Sequence, residues 1–177
     1  MQTLGLSDST LRTEGRLKGL FWPTIQSAAD VDYTTRQGFW LCVVLGVATW
    51  LLGVFQGEGT ASLIDFVFYF LCGVGIRQRS RVAAGAVLLV YLVGTILVFR
   101  AGNPGFTRFI FLALLLSNLR ALFLVSRFPI DDFIVEPHTL ADRFSTNLPP
   151  KIWGWAKYVL YILFVLEIIG LAMLLNR

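Results

Sequence analysis

The sequence predicts an all-α integral membrane protein, a bundle of five transmembrane helices preceded by an amphipathic interfacial segment, and three observations lead there. Of 177 residues, 56% are hydrophobic and only 15% charged, against roughly 45–50% apolar and about 25% charged in soluble domains. The mean hydropathy is +0.70, an excess of apolar side chain that one soluble core does not absorb. The charges fall between long uncharged runs and not along helix faces, which leaves a lipid-facing surface.

Residues 1–38 read as a cytoplasmic leader. Leu11, Leu17, Leu20, Phe21, Trp22 and Ile25 alternate with Arg12, Arg16, Lys18 and Arg36, the mixture of a partly helical stretch lying on a membrane surface. Pro23 should break it. The first apolar run starts only near Phe39, behind these charges, so no secretory signal peptide is read and the leader is expected to remain on the protein.

The bundle is expected over 39–175. A bilayer core about 30 Å thick needs about 20 mainly apolar residues per helix, and runs at 39–55, 61–76, 82–99, 106–125 and 152–175 qualify, the second being short and carrying Asp65. The runs are continuous and rich in Leu, Ala and Phe, without the alternation of a membrane barrel. Links at 56–60, 77–81 and 100–105 are short, which makes consecutive helices antiparallel neighbours. Gly57 and Gly59 permit the first turn, and Asn103, Pro104 and Gly105 break the chain before the fourth run. The cytoplasmic loop at 126–151 is longer than usual between helices and is interrupted by Pro129, Pro137, Pro149 and Pro150.

Orientation follows from the basic residues. With the N-terminus inside, Arg12, Arg16, Lys18, Arg36, Arg77, Arg79, Arg81, Arg120, Arg127, Arg143, Lys151 and Lys157 fall on the inner side, twelve of the 15. Only Arg100, Arg108 and Arg177 fall outside. The chain is therefore expected in a cytoplasmic or inner membrane, N-terminus in and C-terminus out, with Trp22, Trp40, Trp153 and Trp155 anchoring the inner interface. The net charge of +4 is small and dispersed, so no nucleic-acid footprint is read.

Ionisable groups within a span each cost about 2.5–3.5 kcal/mol at the helix centre on insertion scales, so each calls for a partner or a purpose. Asp65, Arg108, Arg120 and Glu167 are such groups. One reading brings Asp65, Arg108 and Glu167 into a polar site between helices. The plainer one pairs Asp65 with Arg108 and bonds Glu167 to Asn118 or Thr95. Arg120 sits close enough to the inner end for its stem to snorkel, and Asn118 is expected to hydrogen-bond between helices.

Cys42 and Cys72 are expected near each other as small apolar residues. Gly46 with Gly53, Gly73 with Gly75 and Gly85 with Gly94 are expected at close helix contacts. In the loop, Asp131, Asp132, Glu136, His138, Asp142 and Arg143 gather beside the membrane. Such groups can hold a divalent cation for chemistry on a lipid phosphate, although the spacing matches no metal-site pattern, and a solvated docking loop is the simpler reading. With one histidine, bis-histidine haem ligation within the chain is excluded. No cofactor is identified and no metal site is assigned. The function expected is that of a non-catalytic accessory or assembly subunit, with the lipid bilayer and a protein partner or second copy as its contacts. The alternatives are an oligomeric channel or transporter using Glu167 and Asp65, and a membrane-surface enzyme built on Asp131 and His138.

Overall fold

The computed structural model describes residue 25 and residues 28–102, 105–124 and 140–175. Its elements are α1 (Ala28–Phe55), α2 (Gly59–Arg77), α3 (Arg81–Arg100), α4 (Phe106–Leu124) and α5 (Leu140–Leu175). All five are long and apolar enough to cross a membrane, and there is no strand among the described residues. Up-and-down connection gives the bundle two ends. Arg77, the starts of α1, α3 and α5 and the end of α4 share one; Arg108, Gly57 and Gly102 share the other.

Packing closes the first four helices into a ring. The α1 helix lies along α2, α2 against α3, α3 against α4, and α4 returns to α1. The α5 helix packs outside the ring, mainly on α2, and almost none of its apolar stretch is buried. Phe39, Cys42, Leu45, Phe68, Leu71, Cys72, Val87, Leu115 and Leu122 fill the interior. In a bilayer such a core would cohere by van der Waals contact and not by exclusion of water, so close backbone approach matters. A Cβ on Gly53 would stand 2.2 Å from the Ser62 Cβ, and one on Gly73 would stand 3.0 Å from the Cys42 Cβ. Gly46 and Gly75 are similarly crowded, by Phe66 and by Ala83. Gly85 and Gly94 depart from expectation: a Cβ on either would meet nothing within 4 Å, and Gly94 borders a cleft between the helices.

The helix boundaries also correct the sequence reading in two places. The first helix begins at Ala28 and not near Phe39, so residues 28–38 continue the helix. Asp30 in the first turn suits the positive end of the helix dipole, Arg36 pairs with Asp32 one turn away at 3.0 Å, and Val31, Thr34 and Thr35 are buried. The last helix begins at Leu140 and not near Ile152, so residues 140–151 are not loop. It runs through Pro149 and Pro150, whose missing N–H groups should interrupt it. Packing of its first turns compensates: the Phe144 ring lies 6.2 Å from that of Phe39 and Ser145 is fully buried. At about 1.5 Å per residue, α1 and α5 exceed a core of about 30 Å, and the surplus lies at the Arg77 end.

The links after α1 and α2 share one turn. Glu58 N–H donates to the Gly53 carbonyl at 2.8 Å and Gly57 N–H to Val54 at 3.2 Å, the paired bonds that close a helix with a left-handed residue. After α2, Ser80 N–H donates to Gly75 at 2.8 Å and Arg79 N–H to Ile76 at 2.9 Å. The left-handed residue is Gly57 at φ 82° in the first link but Arg79 at φ 59° in the second.

Candidate functional site

Among the described residues, two places gather polar side chains. The first is a cleft of about 340 Å³ between the four ring helices toward the Arg108 end. The α1 helix lines it with Leu45, Thr49 and Leu52, α2 with Tyr69, α3 with Tyr91, Gly94 and Val98, and α4 with Thr107, Arg108 and Phe111. The α1 and α4 helices approach closely nearer the opposite end. There Gly38 receives Asn118: a Cβ on Gly38 would stand 2.2 Å from the Asn118 Oδ1. The Asn118 amide donates to the Leu114 carbonyl of its own helix at 3.0 Å, while its buried Oδ1 has no hydrogen-bond partner. That oxygen lies against the Gly38 backbone, where a weak Cα–H donor is the available contact.

Arg108 stands on the first turn of α4, half-buried at the cleft mouth. The three carboxyl and guanidinium groups anticipated as one site divide. Arg108 stays within electrostatic reach of Tyr91 in the cleft, whereas Asp65 turns to the outer side of α2, where its carboxyl lies near that of Glu167 of α5. Neither the Asp65–Arg108 pair nor a Glu167 bond to Thr95 or Asn118 forms: the Thr95 hydroxyl donates to the Tyr91 carbonyl at 2.7 Å. Tyr69, near Glu167, Asp65 and Tyr91, stands between the carboxyl pair and the cleft. Arg120 lies half-buried on α4, toward the Arg77 end.

The second place is a polar cavity of about 300 Å³ at the Arg77 end, lined by Asp32, Arg77, Gln78, Arg79 and Thr146. Arg77 is its buried centre. Its Nη1 donates to the Asp32 carboxylate and to Thr35 Oγ1 at 3.2 Å, its Nε to the Ser145 carbonyl at 3.1 Å, and its Nη2 to Thr146 Oγ1 at 3.3 Å. The Ser145 carbonyl is the group that residue 149 would satisfy in an unbroken helix, and residue 149 is proline. Arg77 therefore supplies the donor that Pro149 lacks and ties α1, α2 and α5 together. Nearby, Arg81 donates from Nε to the Leu122 carbonyl at the end of α4, at 3.2 Å. Burial pushes the Arg79 guanidinium below its ordinary value, with Asp32 opposing and Arg77 adding to the fall; it stays cationic.

No protein-family model, curated protein or solved structure matches this chain.

Of the loop candidates, Asp131, Asp132, Glu136 and His138 lie outside the described residues, as does the side chain of Asp142, while Arg143 is exposed on α5. Among the described residues no group of three or more His, Cys, Asp or Glu side chains is placed to hold a metal. Cys42 and Cys72 are both free and buried. Sequence reasoning missed the Asp32–Arg77–Ser145 cluster, having read Arg77, Arg79 and Arg81 as a topological signal alone. The available clue was a proline pair continuing into an apolar run, which leaves helix carbonyls in need of a donor.

Proposed function

We propose that this chain is a non-catalytic protein of a cytoplasmic or inner membrane that binds an amphiphile with an anionic head in the cleft between its four ring helices. The observation that carries the reading is Arg108 at the mouth of a cleft whose other walls include the apolar Leu45, Leu52, Val90, Val98 and Phe111. A cation with two tyrosines and two threonines offers donors to a head group. The apolar walls accept a chain, and the volume lies at the low end of the roughly 300–1,000 Å³ of ligand sites. With α1 entering from the cytoplasm, on the twelve-to-three distribution of basic residues, the cleft opens in the outer leaflet.

Native mass spectrometry of the detergent-purified chain with laurate as the probe tests it. One laurate per chain is expected, with affinity about 10–100-fold weaker in Arg108→Leu for loss of one charge-assisted contact. Gly94→Leu should abolish binding by filling the cleft, since Gly94 faces open space. Equal binding by all three proteins would refute the reading. A second reading, an accessory subunit held by a partner helix, is favoured by the uncovered span of α5, where Tyr161, Val165 and Ile169 are exposed. A crosslink from Tyr161→Cys to a copurifying protein in mild detergent supports it; a lone monomer after crosslinking removes it.

A further inference from the structure

We propose that the ligand of the cleft is a long-chain anionic lipid of the outer leaflet, which enters sideways between α1 and α4 and leaves the end of its tail in the bilayer. This rests on the reading of the cleft as an amphiphile site and adds the ligand's source and its route. Gly38, Leu41, Leu45, Ala48 and Leu52 share one face of α1 by their helical spacing, and Leu122, Asn118, Leu115, Phe111 and Arg108 share one face of α4 in the same way. Both faces lose burial toward the same end of the bundle. Gly38, Leu41 and Leu45 are buried, whereas Ala48 is exposed and Leu52 is 62% exposed. Leu122, Asn118 and Leu115 are buried, whereas Phe111 and Arg108 are half-buried and Thr107 is exposed.

Side-chain size accounts for the parting. Gly38 has no side chain, so Asn118 comes against its backbone. Two turns further out Leu45 and Phe111 need more room, and beyond them Ala48 is too small to fill it. The neighbouring seams are closed at this depth. Gly46 and Gly53 bring α1 against Phe66 and Ser62 of α2, and the Tyr91 ring of α3 meets that of Phe111 on α4 edge-on, with centroids 6.3 Å apart. The open side of the cleft is therefore the one between α1 and α4.

The order of groups along the cleft matches a lipid standing in the outer leaflet. Arg108 and Thr107 lie at the outer end, and the apolar Leu45, Val90 and Phe111 lie deeper. A head group at the interface with its tail directed to the midplane slides in without turning over, and the guanidinium meets its negative charge. Between Leu52 and Leu45 the cleft extends about 10 Å, at about 1.5 Å per residue. A lipid tail reaches about 15 Å, half of a hydrocarbon core of about 30 Å. Below Leu45 the contact of Gly38 with Asn118 closes the seam, so the last part of the tail leaves through the open side.

The test compares stearate carrying a nitroxide near its carboxylate with stearate carrying one near its methyl end, each added to the full chain in phosphatidylcholine nanodiscs and followed by electron paramagnetic resonance. The label near the carboxylate should be immobilised, and the label near the methyl end should move as freely as in nanodiscs without protein. Arg108→Leu should remove the immobilised signal. Ala48→Trp, which sets an indole across the open side, should remove most of it, and protection of the buried Cys42 and Cys72 from a thiol reagent reports that the variant is folded. If Ala48→Trp does not fold, the contrast between the two labels in the wild type decides. Immobilisation at both label positions, or an unchanged signal in folded Ala48→Trp, would overturn the proposal and leave the cleft reading standing. No immobilised signal in the wild type, or one indifferent to Arg108→Leu, would overturn both.

Discussion

Replacing Arg77 by Leu should destabilise the bundle by about 4–6 kcal/mol, and part of that loss should return when Pro149 becomes Ala. The side chains of Arg77 and Asp32 are 9% and 8% exposed, which places the pair among buried ion pairs. Removing one partner of such a pair costs about 3–5 kcal/mol; Asp32 keeps Arg36 at 3.0 Å, so the lower end, about 3 kcal/mol, applies. The Ser145 carbonyl loses the guanidinium as a donor, adding about 1–3 kcal/mol. An alanine in place of Pro149 would offer its own N–H to that carbonyl. In Arg77→Leu the substitution therefore restores a missing bond, whereas beside intact Arg77 it competes with one already made. The coupling in the double-mutant cycle should be about 1–2 kcal/mol. Unfolding in mixed micelles with increasing dodecyl sulfate, followed by thiol labelling of the buried Cys42 and Cys72, measures all four proteins. If Pro149→Ala shifts the wild type and Arg77→Leu equally, to within about 0.5 kcal/mol, Arg77 does not stand in for the missing donor.

The same assay checks other contacts. Gly53→Val should lose about 1–3 kcal/mol by overpacking against the Ser62 Cβ, 2.2 Å from the added atom, whereas Gly85→Ala, facing open space, should not destabilise. Gly38→Ala should destabilise through collision with Asn118 Oδ1, and Asn118→Ala should suppress that effect. Glu167→Gln keeps a polar side chain beside Asp65 and should fold within about 0.5 kcal/mol of the wild type, but Glu167→Leu sets an apolar group beside the Asp65 carboxyl and should lose about 1–3 kcal/mol.

The existence, order and antiparallel course of the helices were legible because an apolar run of spanning length has few alternatives in its backbone. The ends were less so. Whether residues 28–38 and 140–151 are helical depends on Asp32 meeting Arg77, on Phe144 meeting Phe39 and on a guanidinium replacing the donor Pro149 lacks. Those contacts are distant in sequence, and local propensity opposes one of them. Asp65 and Glu167 stood out as intramembrane charges, but their pairing depended on which face α2 turns toward α5. The same rotation separates Asp65 from Arg108. The glycine pairs show this limit most plainly: Gly46 and Gly53 lie at a contact and Gly85 and Gly94 do not, although composition treats them alike. The cleft was not legible, since it is formed where helices part.

A bundle whose interior opens to water at the Arg108 end should show it in thiol reactivity against depth along α3. In a Cys42→Ala, Cys72→Ala background, Gly94→Cys and Ile96→Cys are treated with a charged, membrane-impermeant methanethiosulfonate in intact cells. Gly94 lies deeper than Ile96 from the Arg100 end of α3 but lines the cleft, while Ile96 is exposed outside it. Modification of Gly94→Cys from the outside is expected, together with protection of Ile96→Cys by lipid. Modification of Ile96→Cys alone, or of Gly94→Cys only after the cells are opened, would contradict an open cleft in the outer leaflet.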